Sequence, residues 1–168
     1  GDCFLKVRIR YIPEKTVLEE FPINSQWWWM ANFPDNFRRG LLDHEKGHAA
    51  IIEKYFGYLI NKLNSYNSIY CGSYGYVSEI KTFYCGEAIK EYSNYYHTLA
   101  EAESNEYDAA SYNIAWFGCY HTGERRARFS AKKREFRSNA KSLRNVARFY
   151  IANANKYWKL CMGELVTY

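Results

Sequence analysis

Apolar positions between residues 36 and 64 recur at spacings of three, four and seven, the period of an α-helix with one broad buried side. The run Pro34-Asp35-Asn36 is typical of a turn followed by a helix start. The pattern therefore predicts a helix over 36–64. Its apolar members are Leu41, Leu42, Ala49, Ala50, Ile51, Ile52, Phe56, Leu59, Ile60 and Leu63.

Two later stretches have the same period. The stretch 86–118 predicts a second helical region, and its length leads us to expect a kink or a division into two helices. The stretch 124–160 interleaves apolar and basic residues and predicts a basic amphipathic helical region. With 168 residues, the chain is expected to form a single domain over 1–168.

The beginning of the chain has a different period. Residues 4–12 alternate apolar and basic side chains for much of their length, which predicts a strand with one buried face. We therefore assign 1–35 to an N-terminal β part.

Two histidines lie on the first predicted helix in the run His44-Glu45-Lys46-Gly47-His48. Residues four apart on a helix lie one above the other, so the two imidazoles can share one small ion. Glu45 then lies beside the ion as a general base for a water molecule. Gly47 is about 1 kcal/mol worse than alanine inside a helix, which indicates that another group packs closely there.

A catalytic zinc takes three protein ligands and leaves a position for water. The third ligand is expected mainly from the second helical stretch, where a side chain can face the first helix. Spacing alone leaves the choice open. The candidates are His97, Glu101, Glu103, Glu106, Asp108 and His121.

The run from Leu41 to His48 resembles the LLxHEQGH signature of a bacterial domain-of-unknown-function family of predicted secreted zinc peptidases, of the zincin type. About 60 residues further on, that family has a second motif, YDxxTxHG. The run Tyr107-Asp108-Ala109-Ala110-Ser111 is similar to its first half, and Ser25-Gln26-Trp27 is similar to an upstream serine–tryptophan pair. Asn113 stands where the family has a histidine, so that role passes to His121 or is lost.

The resemblance implies Asp108 as the third zinc ligand beside His44 and His48. It favours a zinc-dependent endopeptidase that acts on polypeptides, with Glu45 as general base. Candidates for stabilising the oxyanion are Tyr107, Tyr112 and His121. The resulting expectation is an α+β fold, predominantly helical and zincin-like, with a short N-terminal β element, an active-site helix and a second ligand-bearing helix.

Charge is unevenly divided along the chain. Residues 124–159 hold 12 Lys or Arg and two acids, a net +10, while the rest carries 11 basic and 16 acidic residues, a net −5. The simplest explanation is a helix with a solvated basic face. The alternative is a surface for an anionic partner, with nucleic acid disfavoured because no recognised motif supports it. This region motivates a rival hypothesis, a non-catalytic binding or effector protein with a structural or vestigial metal site.

The cysteines bear on the compartment. None of the five forms a CxxC pair, so a zinc knuckle is not indicated. Cys71 and Cys85 flank a glycine- and tyrosine-rich segment, which predicts a hairpin closed by a disulfide and an oxidising environment. The chain begins at Gly1 without a leader, so we expect a secreted or periplasmic protein whose signal peptide has been removed. No run approaches the roughly 20 apolar residues of a membrane span.

Overall fold

Three long helices make up most of the chain in a computed structural model that describes residues 2–4, 35–65, 70–73, 79–111 and 123–162. The elements in order are strand β1 (Asp2–Phe4), helix α1 (Asp35–Asn64), strand β2 (Tyr70–Ser73), helix α2 (Glu79–Ser111) and helix α3 (Gly123–Met162). The helices contain 30, 33 and 40 residues.

Helices α2 and α3 form an antiparallel pair. The disulfide shows this, since it joins Cys85 near the start of α2 to Cys161 near the end of α3. Small side chains form the seam between them. On α3, buried residues recur every seven positions. On α2, three buried alanines are separated from one another by multiples of seven residues. A repeat of seven keeps one side of each helix facing its partner, and small residues let the backbones approach closely. The seam residues are Ala88, Ala102, Ala109, Ala140, Ala147, Ala154 and Cys161.

Helix α1 packs antiparallel against α2. Its first half reaches the end of α2, where His44 contacts Ser111, and its last turn places Lys62 over the ring of Tyr92, 4.7 Å from the ring centre. The Lys62 ammonium also lies 5.0 Å from the ring centre of Trp158 on α3. The main cluster of buried core residues lies at this disulfide-bonded end. Its buried members are Leu63, Cys85, Ala88, Tyr92, Ala154 and Cys161.

The α+β, zincin-like expectation is wrong. Within the described residues, β-structure is limited to an antiparallel pair of three and four residues, with Asp2 opposite Ser73. Strands this short form no layer of their own, and α1 packs against α2 rather than against a sheet. The strand predicted over 4–12 overlaps β1 only at Phe4. Residues 5–34, which include the rest of that strand and of the N-terminal β part, lie outside the described residues.

Two further expectations are corrected by α2. The helix begins at Glu79, seven residues before the predicted start, and runs as one helix to Ser111, while residues 112–118 of the predicted stretch lie outside the described residues. Cys85 therefore lies on a helix, and its bond to Cys161 replaces the predicted Cys71–Cys85 hairpin disulfide. None of the described helices combines the length and apolar content that crossing a membrane requires.

Candidate metal centre

Three side chains from α1 and α2 converge on one point. His44 and His48 lie one turn apart on α1, and their Nε2 atoms are 3.2 Å from each other. Asp108, near the end of α2, places Oδ1 2.9 Å from His44 Nε2 and 2.7 Å from His48 Nε2. The side chains are 9%, 20% and 24% exposed, respectively, so the cluster is sheltered but reachable from solvent.

The arrangement fits a zinc ion. Two imidazole nitrogens and one carboxylate oxygen are a common set of protein ligands for catalytic Zn²⁺. Tetrahedral bonds of about 2.0–2.2 Å place ligand atoms about 3.3–3.5 Å apart, so these three atoms need to separate by less than about 0.8 Å. Among the described residues, His44, His48 and Asp108 form the one group of His, Cys and acidic side chains that could hold a metal ion.

Ser111 fixes the tautomer of His44. Its hydroxyl donates to the carbonyl oxygen of Tyr107, one turn earlier on α2, at 2.8 Å. The same oxygen lies 2.9 Å from Nδ1 of His44, and with its hydrogen already used it accepts the Nδ1 hydrogen. Neutral His44 then carries its lone pair on Nε2, the nitrogen that faces Asp108. Two electron-rich atoms at that distance need a positive charge between them, either a proton on the imidazole or a metal ion.

The charge balance of the cluster also favours a cation. Burial acts to raise the pKa of Asp108, but hydrogen bonds with His44 and His48 outweigh it and lower the pKa to about 2. The pKa of His48 is raised by its hydrogen bond to Asp108 against the effect of burial, with a smaller contribution from the charge of Glu45. The centre therefore holds a carboxylate that favours positive charge beside it.

Tyr107 closes one side of the centre. Its ring stacks on His44 with centroids 4.6 Å apart and an interplanar angle of 8°, and it meets His48 edge-on at 5.1 Å. A Cβ built on Gly47 would overlap the Tyr107 hydroxyl and lie 2.8 Å from its Cε1. The close approach predicted at Gly47 is therefore confirmed, and Tyr107 makes it. Burial, followed by the charges of Asp108, Glu45 and Asp43, raises the pKa of the Tyr107 phenol.

The other described candidates for the third ligand are engaged elsewhere. Glu103 bonds to Lys54 on α1, with Nζ to Oε2 at 2.7 Å. Glu106 accepts two hydrogen bonds of 2.8 Å from Arg144 on α3. His97 and Glu101 pair with each other at 3.1 Å on the exposed side of α2. Of the described candidates, only Asp108 faces the two histidines.

Glu45 follows His44 on α1 and is half-buried. Its charge contributes to the raised pKa of both His48 and Tyr107. His121, Tyr112 and Asn113 lie outside the described residues. Ser111 stands at the threonine position of the motif YDxxTxHG, and the sequence assigned it no role. The signal was available, because a hydroxyl three residues after a ligand shares its side of the helix.

No family model, curated protein or solved structure matches the chain. The likeness to predicted secreted zinc peptidases therefore rests on its motif residues, and membership of that family stays a prediction. The function has to be inferred from the geometry of the centre.

Proposed function

We propose that this protein is a zinc-dependent endopeptidase. The observation that carries the proposal is the convergence of His44 Nε2, His48 Nε2 and Asp108 Oδ1 on one point, with Glu45 next to His44 in the chain. Two histidines one helical turn apart with a glutamate after the first are the arrangement of zinc hydrolases. The same two-histidine, one-carboxylate set also serves non-haem iron, but iron chemistry has no need for the adjacent glutamate.

A bound Zn²⁺ would act as a Lewis acid, lowering the pKa of a water molecule to about 7 and polarising a substrate carbonyl. Glu45 would accept a proton from that water on its carboxylate and deliver it to the nitrogen of the leaving amine. Ser111 would hold His44 with Nε2 turned inward. Tyr107 and His121 stay candidate donors to the oxyanion.

The test compares Glu45→Gln with Glu53→Gln. Both remove one carboxylate from α1, and Glu53 is exposed two turns away from Glu45. We expect Glu45→Gln to retain one zinc per chain by elemental analysis and to lose cleavage of a peptide library by at least about 100-fold. Glu53→Gln should keep both. Unchanged cleavage by Glu45→Gln, at equal zinc content, removes the proposal.

A second candidate function is a binding protein whose metal ion is structural. Helices α2 and α3 share a disulfide, whereas among the described residues α1 is joined to α2 by non-covalent contacts alone. An ion held by His44, His48 and Asp108 would cross-link α1 to α2. This candidate predicts that chelation unfolds or loosens α1, and that wild-type protein loaded with zinc cleaves no member of the library.

We further propose a secreted or periplasmic location. The support is the Cys85–Cys161 disulfide, whose two residues are 2% and 0% exposed. Disulfides of this structural kind persist in oxidising compartments.

A further inference from the structure

Helix α3 carries a line of cations that the metal centre does not use. Six basic residues, which we call the basic stripe, are exposed and have no ion-pair partner within the described part of the chain. They fall within about 100° of the helix circumference and extend over about 38 Å. The basic stripe consists of Arg134, Arg137, Lys141, Arg148, Lys156 and Lys159.

The basic stripe lies on the outer side of α3, well away from the seam of Ala140, Ala147 and Ala154 that faces α2. No acidic residue with a described side chain on α3 pairs with a residue of the basic stripe. The only acid on α3 with a described side chain is Glu135, which pairs with Lys132 at 2.9 Å and lies about 60° beyond the nearer edge of the basic stripe. Arg144, which does bond to a carboxylate, serves the contact with α2 and is not part of the stripe.

An apolar side chain stands at the edge of the basic stripe. Phe149 follows Arg148 and is 74% exposed, the most exposed of the large hydrophobic residues described. Its neighbours one turn away are also exposed, namely Asn145, Val146, Ala152 and Asn153. The ring therefore projects where a partner could cover it without displacing other side chains.

We propose that the basic stripe and Phe149 form a surface that binds the face of an anionic lipid bilayer. A helix with one line of exposed cations complements a plane of negative headgroups, which attracts each basic residue near it. A polyphosphate chain would neutralise the cations but offer nothing to Phe149, whereas the headgroup region accepts both a cation and an aromatic ring. The surface is separate from the metal centre, so binding does not require zinc.

The first test measures co-sedimentation of the full chain with phosphatidylcholine vesicles, with and without phosphatidylserine. The stripe variant is Lys141→Gln with Lys156→Gln. The matched control is Lys90→Gln with Lys132→Gln, which removes the same charge from exposed positions outside the stripe. Each cation near the surface contributes roughly fivefold to binding, so we expect the stripe variant to bind phosphatidylserine vesicles roughly 25-fold more weakly. The control should stay within roughly twofold of wild type.

The second test separates a bilayer from another polyanion. Phe149→Ser should weaken binding to phosphatidylserine vesicles and leave any binding to a duplex oligonucleotide unchanged. Equal losses in the stripe variant and its control would overturn the proposal, as would an unchanged Phe149→Ser variant. Tighter binding to the oligonucleotide than to the vesicles would also overturn it. A chelator should not change vesicle binding, which keeps this result independent of the peptidase proposal.

Discussion

Ser111 contacts the candidate metal centre through its hydroxyl group, which accepts from Nδ1 of His44. Ser111→Ala removes that acceptor, and His44 can then turn its lone pair away from the ion. Changes of this kind typically weaken metal binding by about 10- to 100-fold. We expect a loss in that range, measured by zinc competition with a chelator, and Ser111→Thr should restore most of the affinity.

Ser93 provides the control for this change. Its hydroxyl makes the same kind of hydrogen bond, to the carbonyl oxygen of Ile89 at 2.8 Å, on the same helix but away from the ligands. Ser93→Ala should leave zinc affinity unchanged. If both variants bind zinc equally well, the tautomer of His44 is not set by Ser111.

Gly47 is the second residue whose identity the centre requires. In Gly47→Ala, the added methyl would collide with the ring of Tyr107, which must leave its stack on His44. Overpacking of this kind costs about 1–3 kcal/mol. We expect a loss of that size in the free energy of unfolding by urea, together with weaker zinc binding.

Gly57 on the same helix gives the opposite expectation. A Cβ there meets nothing within 4 Å, so Gly57→Ala should stabilise the protein by up to about 1 kcal/mol through helix propensity. A Gly47→Ala protein as stable as Gly57→Ala would contradict the close packing of Tyr107.

At the scale of elements, one ion pair joins α1 to α2 and another joins α3 to α2. Both make the free energy of unfolding depend on pH. The pKa of Glu103 is lowered by its hydrogen bonds from Lys54 and Tyr55, and that of Glu106 by its hydrogen bond from Arg144. Since both folded pKa values lie below the ordinary 4.5, the stabilisation is present above pH 4.5 and is lost as pH falls through the lowered values. Exposed pairs contribute at most about 1 kcal/mol each.

Urea unfolding at neutral pH and well below pH 4.5 measures this effect. Glu103→Gln with Glu106→Gln should be less stable than wild type at neutral pH and should lose less stability on acidification. Glu53→Gln, which removes an exposed carboxylate from α1, should follow the wild-type curve. Parallel curves for wild type and the double variant would show that these pairs do not join the helices.

The disulfide joins α2 to α3 across 76 residues of sequence. Closing a loop of that length lowers the entropy of the unfolded chain, and removing the bond costs about 4 kcal/mol on that account. We expect Cys85→Ala with Cys161→Ala to lower the free energy of unfolding by about that amount. Peptide mapping without reductant should recover Cys85 linked to Cys161, and a Cys71–Cys85 peptide would contradict the packing of α2 against α3.

Elements governed by local pattern could be predicted from the sequence, and elements that depend on distant partners could not. The helix predicted over 36–64 spans Asp35–Asn64, because three-, four- and seven-residue spacing is a local signal. The start of α2 could not be predicted because the glycines and tyrosines of residues 70–86 favour a hairpin. The partner of Cys85 could not be predicted because Cys161 lies on another helix, and the spacing of cysteines does not show which helices pack together.

At the scale of the whole molecule, the metal centre and the main core occupy opposite ends of α1. His44 and Leu63 are separated by 19 residues of helix, about 28 Å, and the disulfide lies at the Leu63 end. The spacing of His44 and His48 predicts their common side of a helix, but the choice of Asp108 needed the motif resemblance. Only the packing of α2 shows Glu103 and Glu106 turned toward Lys54 and Arg144.

Zinc-edge anomalous diffraction from crystals grown with zinc tests the central claim most directly. We predict one strong peak about 2.0–2.2 Å from Nε2 of His44, Nε2 of His48 and an oxygen of Asp108. The peak should vanish in Asp108→Ala and persist in Glu45→Gln. A peak bound by Glu103 or Glu106, or no peak at the two histidines, would contradict a zinc centre formed by His44, His48 and Asp108.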